Sequence, residues 1–334
     1  MKRSNTLISV IVPCFNEAEN IPLIILALET VLLPWDYEII IVDDGSTDGS
    51  DNVYVQLAQS DERIKYLRFS RNFGHQAAIK AGIDHANGDA IITIDADLQQ
   101  PPSLITQMIQ KWKEGADIVE GVRQAQHKES WFKQKTSSLY YWLLAYLSDY
   151  QVVKGVSDFR LIDKKVAKIV KELPENHLYL RGLFSWMGFE HAYINYHLEE
   201  RQNGMTRYTF GKMLGLASSG VTSMSVKPLK VALIIGVVIS LCSFLYGLYA
   251  LSVVLFTEAA VPGWTSTIIS VLFMAGFQLI VLGVMGEYLG KLFMESKRRP
   301  VYLIKDTNDS TDFIDKSIND LNDIIKEDRR CTVT

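Results

Sequence analysis

The 334-residue chain is poor in cysteine: Cys14, Cys242 and Cys331 stand far apart and share no metal-ligand spacing. That excludes a disulfide framework and a zinc site of the closely spaced cysteine type. Positive charge is not in excess either, since 34 Lys and Arg face 38 Asp and Glu for a net charge of −4. No Arg/Lys stripe interleaved with aromatics is present, so a nucleic-acid partner is not expected. Residues Met1 to Asn5 are short and polar and run straight into a strand-like segment, so no cleavable signal is expected. Charge itself is scarce in one region. Nearly all of it lies before Leu229 or after Tyr288.

That uncharged region predicts a membrane part. Val231 to Phe256 carries no charge and as a helix would reach about 39 Å, more than the roughly 30 Å of a hydrocarbon core. A second uncharged run from Thr265 to Gly286 is also long enough, and the connection holds Glu258, Pro262 and Gly263 but no Lys or Arg. A two-helix hairpin over about 231–256 and 265–288 follows. Lys212, Lys227 and Lys230 precede it and Lys291, Lys297, Arg298 and Arg299 follow it, which places both ends in the cytoplasm by the positive-inside rule. Glu287 and Lys291 read as an interfacial i, i+4 ion pair. Phe210, Met213, Leu214, Ala217, Val221 and Met224 recur at helical steps, as in an amphipathic helix on the membrane surface; a core-facing helix fits the same pattern. The expected organisation is a catalytic domain over 1–205, an amphipathic helix over 206–228, two spans within 229–294 and a cytoplasmic tail over 295–334. Gly276, Gly283 and Gly286 leave surface for helix packing, compatible with a homo-oligomer.

Before residue 205, strand-like and helix-like runs alternate. Leu7–Val12 and Tyr37–Val42 read as strands, Ile21–Leu33 as a helix, Gln76–Ala86 as another and Ala90–Ile94 as a third strand. This βαβ series predicts an α/β fold with a mostly parallel, Rossmann-like sheet and ligands at the carboxyl ends of its strands. Polar motifs lie at those ends: Asn16 and Glu17, then Asp43 and Asp44, then Asp95 and Asp97. A nucleotide-sugar has a diphosphate leaving group whose charge a divalent cation stabilises, and the oxygen ligands of Asp95, Asp97 and Gln99 suit Mg²⁺ or Mn²⁺. The DDGS turn also reads as a plain strand-to-helix loop, with Ser46 or Asp48 capping the next helix.

With those residues in hand, the chain resembles glycosyltransferase family 2 with the GT-A fold. The carrying motifs are SVIVPCFNEAENI, IIIVDDGSTDGS, RNFGHQAAIKAGIDHANGDAIITIDADLQQPP and GADIVEGVR, continued by SDFRL, RQNGMTRY and GEYLGKLFMESKRRPVYLI. Within the family it is most similar to bactoprenol glucosyltransferases and more distantly to dolichol-phosphate mannose synthase. The resemblance implies metal-dependent, inverting transfer of a hexose, glucose from UDP-glucose by nearest likeness, onto polyprenyl (undecaprenyl) phosphate, giving a lipid-linked sugar for cell-envelope glycan or O-antigen modification. It implies that Pro13, Phe15, Glu17, Asp43 and Asp44 surround the nucleotide, with Asn72 and Gly74 in a loop beside them. Asp95, Asp97 and Gln99 would hold the metal. The acceptor phosphate would meet Arg123, Lys133, Lys135 and Ser137, and Arg201, Thr206 and Arg207 from RQNGMTRY. Two roles fit Asp158 in SDFRL: general base, or a carboxylate that orients an arginine such as Arg160 or orders a loop. A base is not required, because a phosphate monoester with a second pKa near 6 is largely a dianion at neutral pH. A processive polysaccharide synthase would carry a Gln-x-x-Arg-Trp element, which is missing, and a non-catalytic membrane sensor of sugar nucleotides would not need the intact DxD.

Overall fold

The computed structural model describes residues 6–124, 155–175, 179–197, 227–256 and 263–308. A β-rich apolar run, Leu7–Cys14, forms strand β1, and α1 (Ile21–Leu32) follows with Pro22 in its first turn, where a missing N–H costs nothing. Strand β2 (Asp36–Asp43), α2 (Ser50–Ser60), β3 (Ile64–Phe69), α3 (His75–His85) and β4 (Ala90–Thr93) continue the series. After α4 (Ile105–Lys113) come β5 (Ile118–Arg123), β6 (Val156–Asp163), α5 (Lys164–Glu172), α6 (Leu180–Trp186) and β7 (His191–Tyr196). Helices α7 (Lys227–Phe256) and α8 (Trp264–Ser296) precede a last strand, β8 (Ile304–Thr307).

The eight strands form one sheet in the order β7-β5-β6-β4-β1-β2-β3-β8. Pairings β4–β1, β1–β2, β2–β3 and β5–β7 are parallel, and only β6 and β8 run against their neighbours. The expected α/β, mostly parallel architecture is what forms. Central strands are apolar on both faces because both are covered, one by α1, α2 and α4 and the other by α3, α5 and α6. The register fixes the site. Cys14 lies opposite Asp43, so the loops after β1 and β2 emerge side by side. Thr93 lies opposite Arg160 on the antiparallel β6, so the segment two residues beyond Thr93 meets the segment two residues before Arg160, and Asp95 comes level with Asp158.

Strand β3 escapes the sequence reading because Lys65 and Arg68 interrupt its apolar run; both are neutralised locally, Lys65 by Glu38 at 3.0 Å and Arg68 by Asp51 at 2.9 Å. Ala90–Thr93 is therefore the fourth strand, not the third. The segment after α8 also departs from expectation, since it returns to the sheet. Strand β8 pairs with the β3 edge, Tyr302 stacks on Phe69 with centroids 5.2 Å apart, and its hydroxyl donates to Asp84 at 2.9 Å. Asn308 accepts the Tyr66 N–H at 2.8 Å.

The two anticipated spans fall within α7 and α8, which touch one another. Within α8, Phe273–Ser296 is long and apolar enough to cross a membrane; in α7 the apolar stretch Ala232–Tyr246 is shorter. The anticipated amphipathic helix, up to residue 226, and the tail beyond residue 308 lie outside the described residues.

Candidate active site

The carboxyl ends of β1 and β2 carry two loops that are hydrogen-bonded into one unit. Asn16, at φ 57°, donates its N–H to Ser46 Oγ at 2.9 Å and accepts the Thr47 N–H on its side-chain oxygen at 2.8 Å. Asp48 accepts the N–H of Ala18 at 3.0 Å and of Ser50 at 3.1 Å, so it holds both the β1 loop and the start of α2. Ser46 joins the two loops and caps nothing. Glu17 accepts from the Asn20 side chain. Phe15, 45% exposed, stands at the mouth, whereas Pro13 is buried within β1.

Asp43 and Asp44 have separate tasks. Asp43 is fully buried and accepts from the Ser46 N–H and the Tyr54 hydroxyl, each at 2.9 Å, with Arg68 at 3.8 Å. With both oxygens engaged and no exposed surface, it shapes the loop. Asp44 accepts the N–H groups of Phe73 at 2.6 Å and Gly74 at 2.9 Å, tying the β2 loop to the loop containing Asn72. Burial raises the Asp44 pKa against the lowering effect of those two donors. Gly45 makes the junction possible. At φ +76° any Cβ here would stand 2.7 Å from the Arg71 carbonyl carbon and 2.9 Å from the Asn72 nitrogen.

The DxD segment follows β4 on the same edge. Gln100 grips Asp95, accepting its N–H at 2.9 Å and donating to Oδ2 at 2.6 Å. Asp97 accepts the Gln99 N–H at 3.2 Å, and Leu98 between them takes φ 59°. Both carboxylates stay half-buried. Two carboxylates and a carboxamide within five residues are oxygen donors of the kind a hard divalent cation takes. Among the described residues no group of three or more His, Cys, Asp or Glu could hold a metal by itself.

Beside Asp95 lies a charge cluster that sequence reasoning largely missed. Arg181 of α6 grips Asp158 in a two-pronged pair, Nε at 3.0 Å and Nη2 at 2.8 Å. Arg160 Nη2 adds a contact at 3.4 Å, and Gln76 donates to Asp158 Oδ2 at 3.3 Å. His75 Nε2 stands 3.4 Å from Asp95 and 3.6 Å from Asp158. Burial opposes ionisation of Asp158, but the His75 contact and the two guanidiniums outweigh it and hold its pKa far below the carboxylate range. For His75, desolvation is outweighed by the two carboxylates, and its pKa rises. Desolvation raises the pKa of Asp95, with His75 working against it. Arg160 is buried, lies 4.5 Å above the Phe184 ring and faces buried Glu120 at 3.8 Å. His75 was visible in the sequence as the residue after Gly74 in RNFGHQ; Arg181 had no signal beyond being a lone cation in an apolar stretch.

Of the anticipated acceptor residues, Arg123 is exposed at the end of β5, on the same edge as Asp95 because β5 runs in the direction of β4. Lys133, Lys135, Ser137, Arg201, Thr206 and Arg207 lie outside the described residues.

The model for Glycosyl transferase family 2 matches residues 9–170. The uncharacterized glycosyltransferase YkcC of Bacillus subtilis is 42% identical over 89% of this chain and 93% of its own. The bactoprenol glucosyl transferase of Shigella phage SfV is 40% identical over 89% of this chain and 98% of its own, and a prophage homolog of that enzyme in Escherichia coli is 39% identical over the same shares. Among solved structures, mannosyl-3-phosphoglycerate synthase from Rubrobacter xylanophilus is 17% identical over 65% of this chain and 72% of its own, with a TM-score of 0.45. With relatives of about 40% identity aligned almost end to end, and a GT-A-like α/β sheet carrying the family's loops at its carboxyl edge, the chain belongs to glycosyl transferase family 2.

Proposed function

We propose that this chain transfers a hexose, glucose from UDP-glucose, onto the phosphate of undecaprenyl phosphate with inversion, at the cytoplasmic face of a bacterial plasma membrane. One observation carries the reading: the DxD carboxylates, the β1 and β2 loops and a guanidinium cluster share one sheet edge, in a chain similar over nine-tenths of its length to bactoprenol glucosyl transferases. The acceptor phosphate oxygen attacks the anomeric carbon from behind. The bond from that carbon to the diphosphate breaks, and its electron pair leaves with UDP. Phe15, Glu17, Asp44, Asn72 and Gly74 frame the uridine, with Pro13 and Asp43 supporting from within. Asp95, Asp97 and Gln99 would hold a Mg²⁺ or Mn²⁺ ion, which when bound neutralises charge developing on the leaving diphosphate. Arg123, with Lys133, Lys135, Ser137, Arg201, Thr206 and Arg207, is assigned to the acceptor. The nucleophile arrives ionised, so no side chain needs to remove a proton, and Asp158, held far below the carboxylate range, is a poor base.

Chain topology supports a two-span anchor. The chain leaves the sheet after β7 and rejoins it at β8, so a crossing by α8 would need a second crossing to bring the chain back. Helix α7 is the segment assigned to that second crossing. Lysines and arginines flanking the pair support a cytoplasmic sheet and termini, and Gly276, Gly283 and Gly286 offer a surface for self-association.

The test is incubation of the purified protein with a panel of nucleotide-sugars, undecaprenyl phosphate and Mn²⁺, scoring sugar in the lipid fraction. Label from UDP-glucose is expected there. Transfer from no donor refutes the reading, and polymer growth without lipid labelling favours a processive synthase.

A further inference from the structure

We propose that Arg181 is a phosphate-binding residue of this site and that Asp158 is the residue that positions it. The proposal rests on the transferase reading and adds a ligand contact to it. A guanidinium presents five N–H donors in a rigid fork. Arg181 spends its Nε edge on Asp158, at 3.0 and 2.8 Å, which leaves the Nη1 side of the fork turned away from that carboxylate. Its side chain is 45% exposed while that of Asp158 is 7% exposed, so the pair has a buried anchor and an open face.

The anchor is unusually well fixed. Asp158 also receives Arg160 and Gln76, and Arg160 is itself wedged between Asp158, Glu120 and the Phe184 ring. Arg160 is 3% exposed and Glu120 2% exposed, so neither can serve a ligand; their role is to hold Asp158 rigid and to balance charge among the four groups. The other arginines described near this edge differ. Arg68 is paired with Asp51, Arg71 lies over the Phe73 ring at 4.0 Å and Arg123 is exposed with no anchoring carboxylate among the described residues.

The pair sits at the carboxyl edge of the sheet, where the register brings Asp158 level with Asp95. His75 Nε2 stands 3.4 Å from Asp95 and 3.6 Å from Asp158, and Arg181 holds that same Asp158 at 2.8 Å, so Asp158 links Arg181 to the DxD segment. An arginine locked on one edge by a carboxylate offers the other edge with little entropy left to lose, which suits two-pronged contact to phosphate oxygens. That phosphate belongs either to the donor diphosphate or to the lipid acceptor.

Full-length wild-type, Arg181→Gln, Arg181→Lys and Asp158→Asn proteins in nanodiscs separate these sources. KM is measured for UDP-glucose and for undecaprenyl phosphate, alongside equilibrium affinity for UDP with Mn²⁺ and no acceptor. Arg181→Gln is expected to raise one KM at least tenfold, Arg181→Lys to recover part of that, and Asp158→Asn to raise the same KM by less. Weaker UDP affinity identifies the donor; an unchanged UDP affinity with a raised lipid KM identifies the acceptor. If Arg181→Gln does not fold, Arg181→Lys, which keeps the charge and loses the fork, must still raise one KM severalfold. Both KM values and kcat within twofold of wild type in the folded Arg181 variants overturn the proposal. So does loss of turnover in Asp158→Asn alone, which would make Asp158 itself the acting group. Absence of turnover in wild type sinks the transferase reading instead.

Discussion

Replacing Gly45 by alanine, with Gly49→Ala as its companion, separates backbone strain from steric contact in the loop after β2. Both glycines have positive φ, +76° and +88°, and each alanine should cost about 1–2 kcal/mol for the left-handed conformation. Nothing lies within 4 Å of a Cβ at Gly49, whereas at Gly45 it meets the backbone of Arg71 and Asn72 at 2.7 and 2.9 Å. Backbone cannot swing aside like a side chain end. Gly45→Ala must therefore push the loop of Asn72 and Gly74 off Asp44, stretching hydrogen bonds of 2.6 and 2.9 Å, each worth about 1.5–3 kcal/mol with a charged acceptor. Thermal melts in detergent should show Gly49→Ala lower by about 2–8 °C, at roughly 2–4 °C per kcal/mol for a domain of this size. Gly45→Ala should fall further and bind UDP at least about tenfold more weakly, a loss of about 1.4 kcal/mol. Equal melting points and equal UDP affinities for the two variants would refute the argument that close approach of the two loops builds the pocket.

Other outcomes follow from the same geometry. Asp97→Ala should abolish sugar transfer and the Mn²⁺ dependence of UDP binding while membrane insertion persists, as read by flotation and by nucleotide titration with and without the ion. Asp158 has a depressed folded pKa, so its stabilisation is present above the unfolded value of about 3.9 and fades as pH falls below it. Unfolding monitored from pH 6 to 3 should be steeper below about pH 4 in wild type than in Asp158→Asn, with Glu38 and Asp48, also lowered, supplying the remaining slope. Tyr302→Phe should loosen β8 by about 1 kcal/mol, because Asp84 keeps its ion pair with Lys80, and faster amide exchange confined to β3 and β8 would report it.

The sequence makes some parts of this molecule legible and hides others for physical reasons. Strands β1, β2 and β4 announce themselves because burial on both faces demands unbroken apolar runs, and the polar residues that end them mark the site. Strand β3 hides because Lys65 and Arg68 find partners in Glu38 and Asp51 that only the folded chain supplies. Asp95 and Asp97 are readable as a local motif. Arg181 is not, since its meaning comes from Asp158, 23 residues away along the chain. Asp43 and Asp44 are read together in the sequence, but both are buried, and their partners, Ser46 and Tyr54 for one and the Phe73 and Gly74 N–H groups for the other, appear only in the folded chain.

Strand β8 also sets an order of events during synthesis. Thr307 meets Tyr66 across 241 residues of chain, so the outer edge of β3 is translated long before its cover exists. At about 5–20 residues per second that delay is on the order of 10–50 s, during which the long apolar helices α7 and α8 are also made. An uncovered strand edge is a template for pairing with another chain. Lys65 and Arg68 on that strand put charge where such pairing would begin, so the residues that conceal β3 in the sequence also guard it while the ribosome finishes.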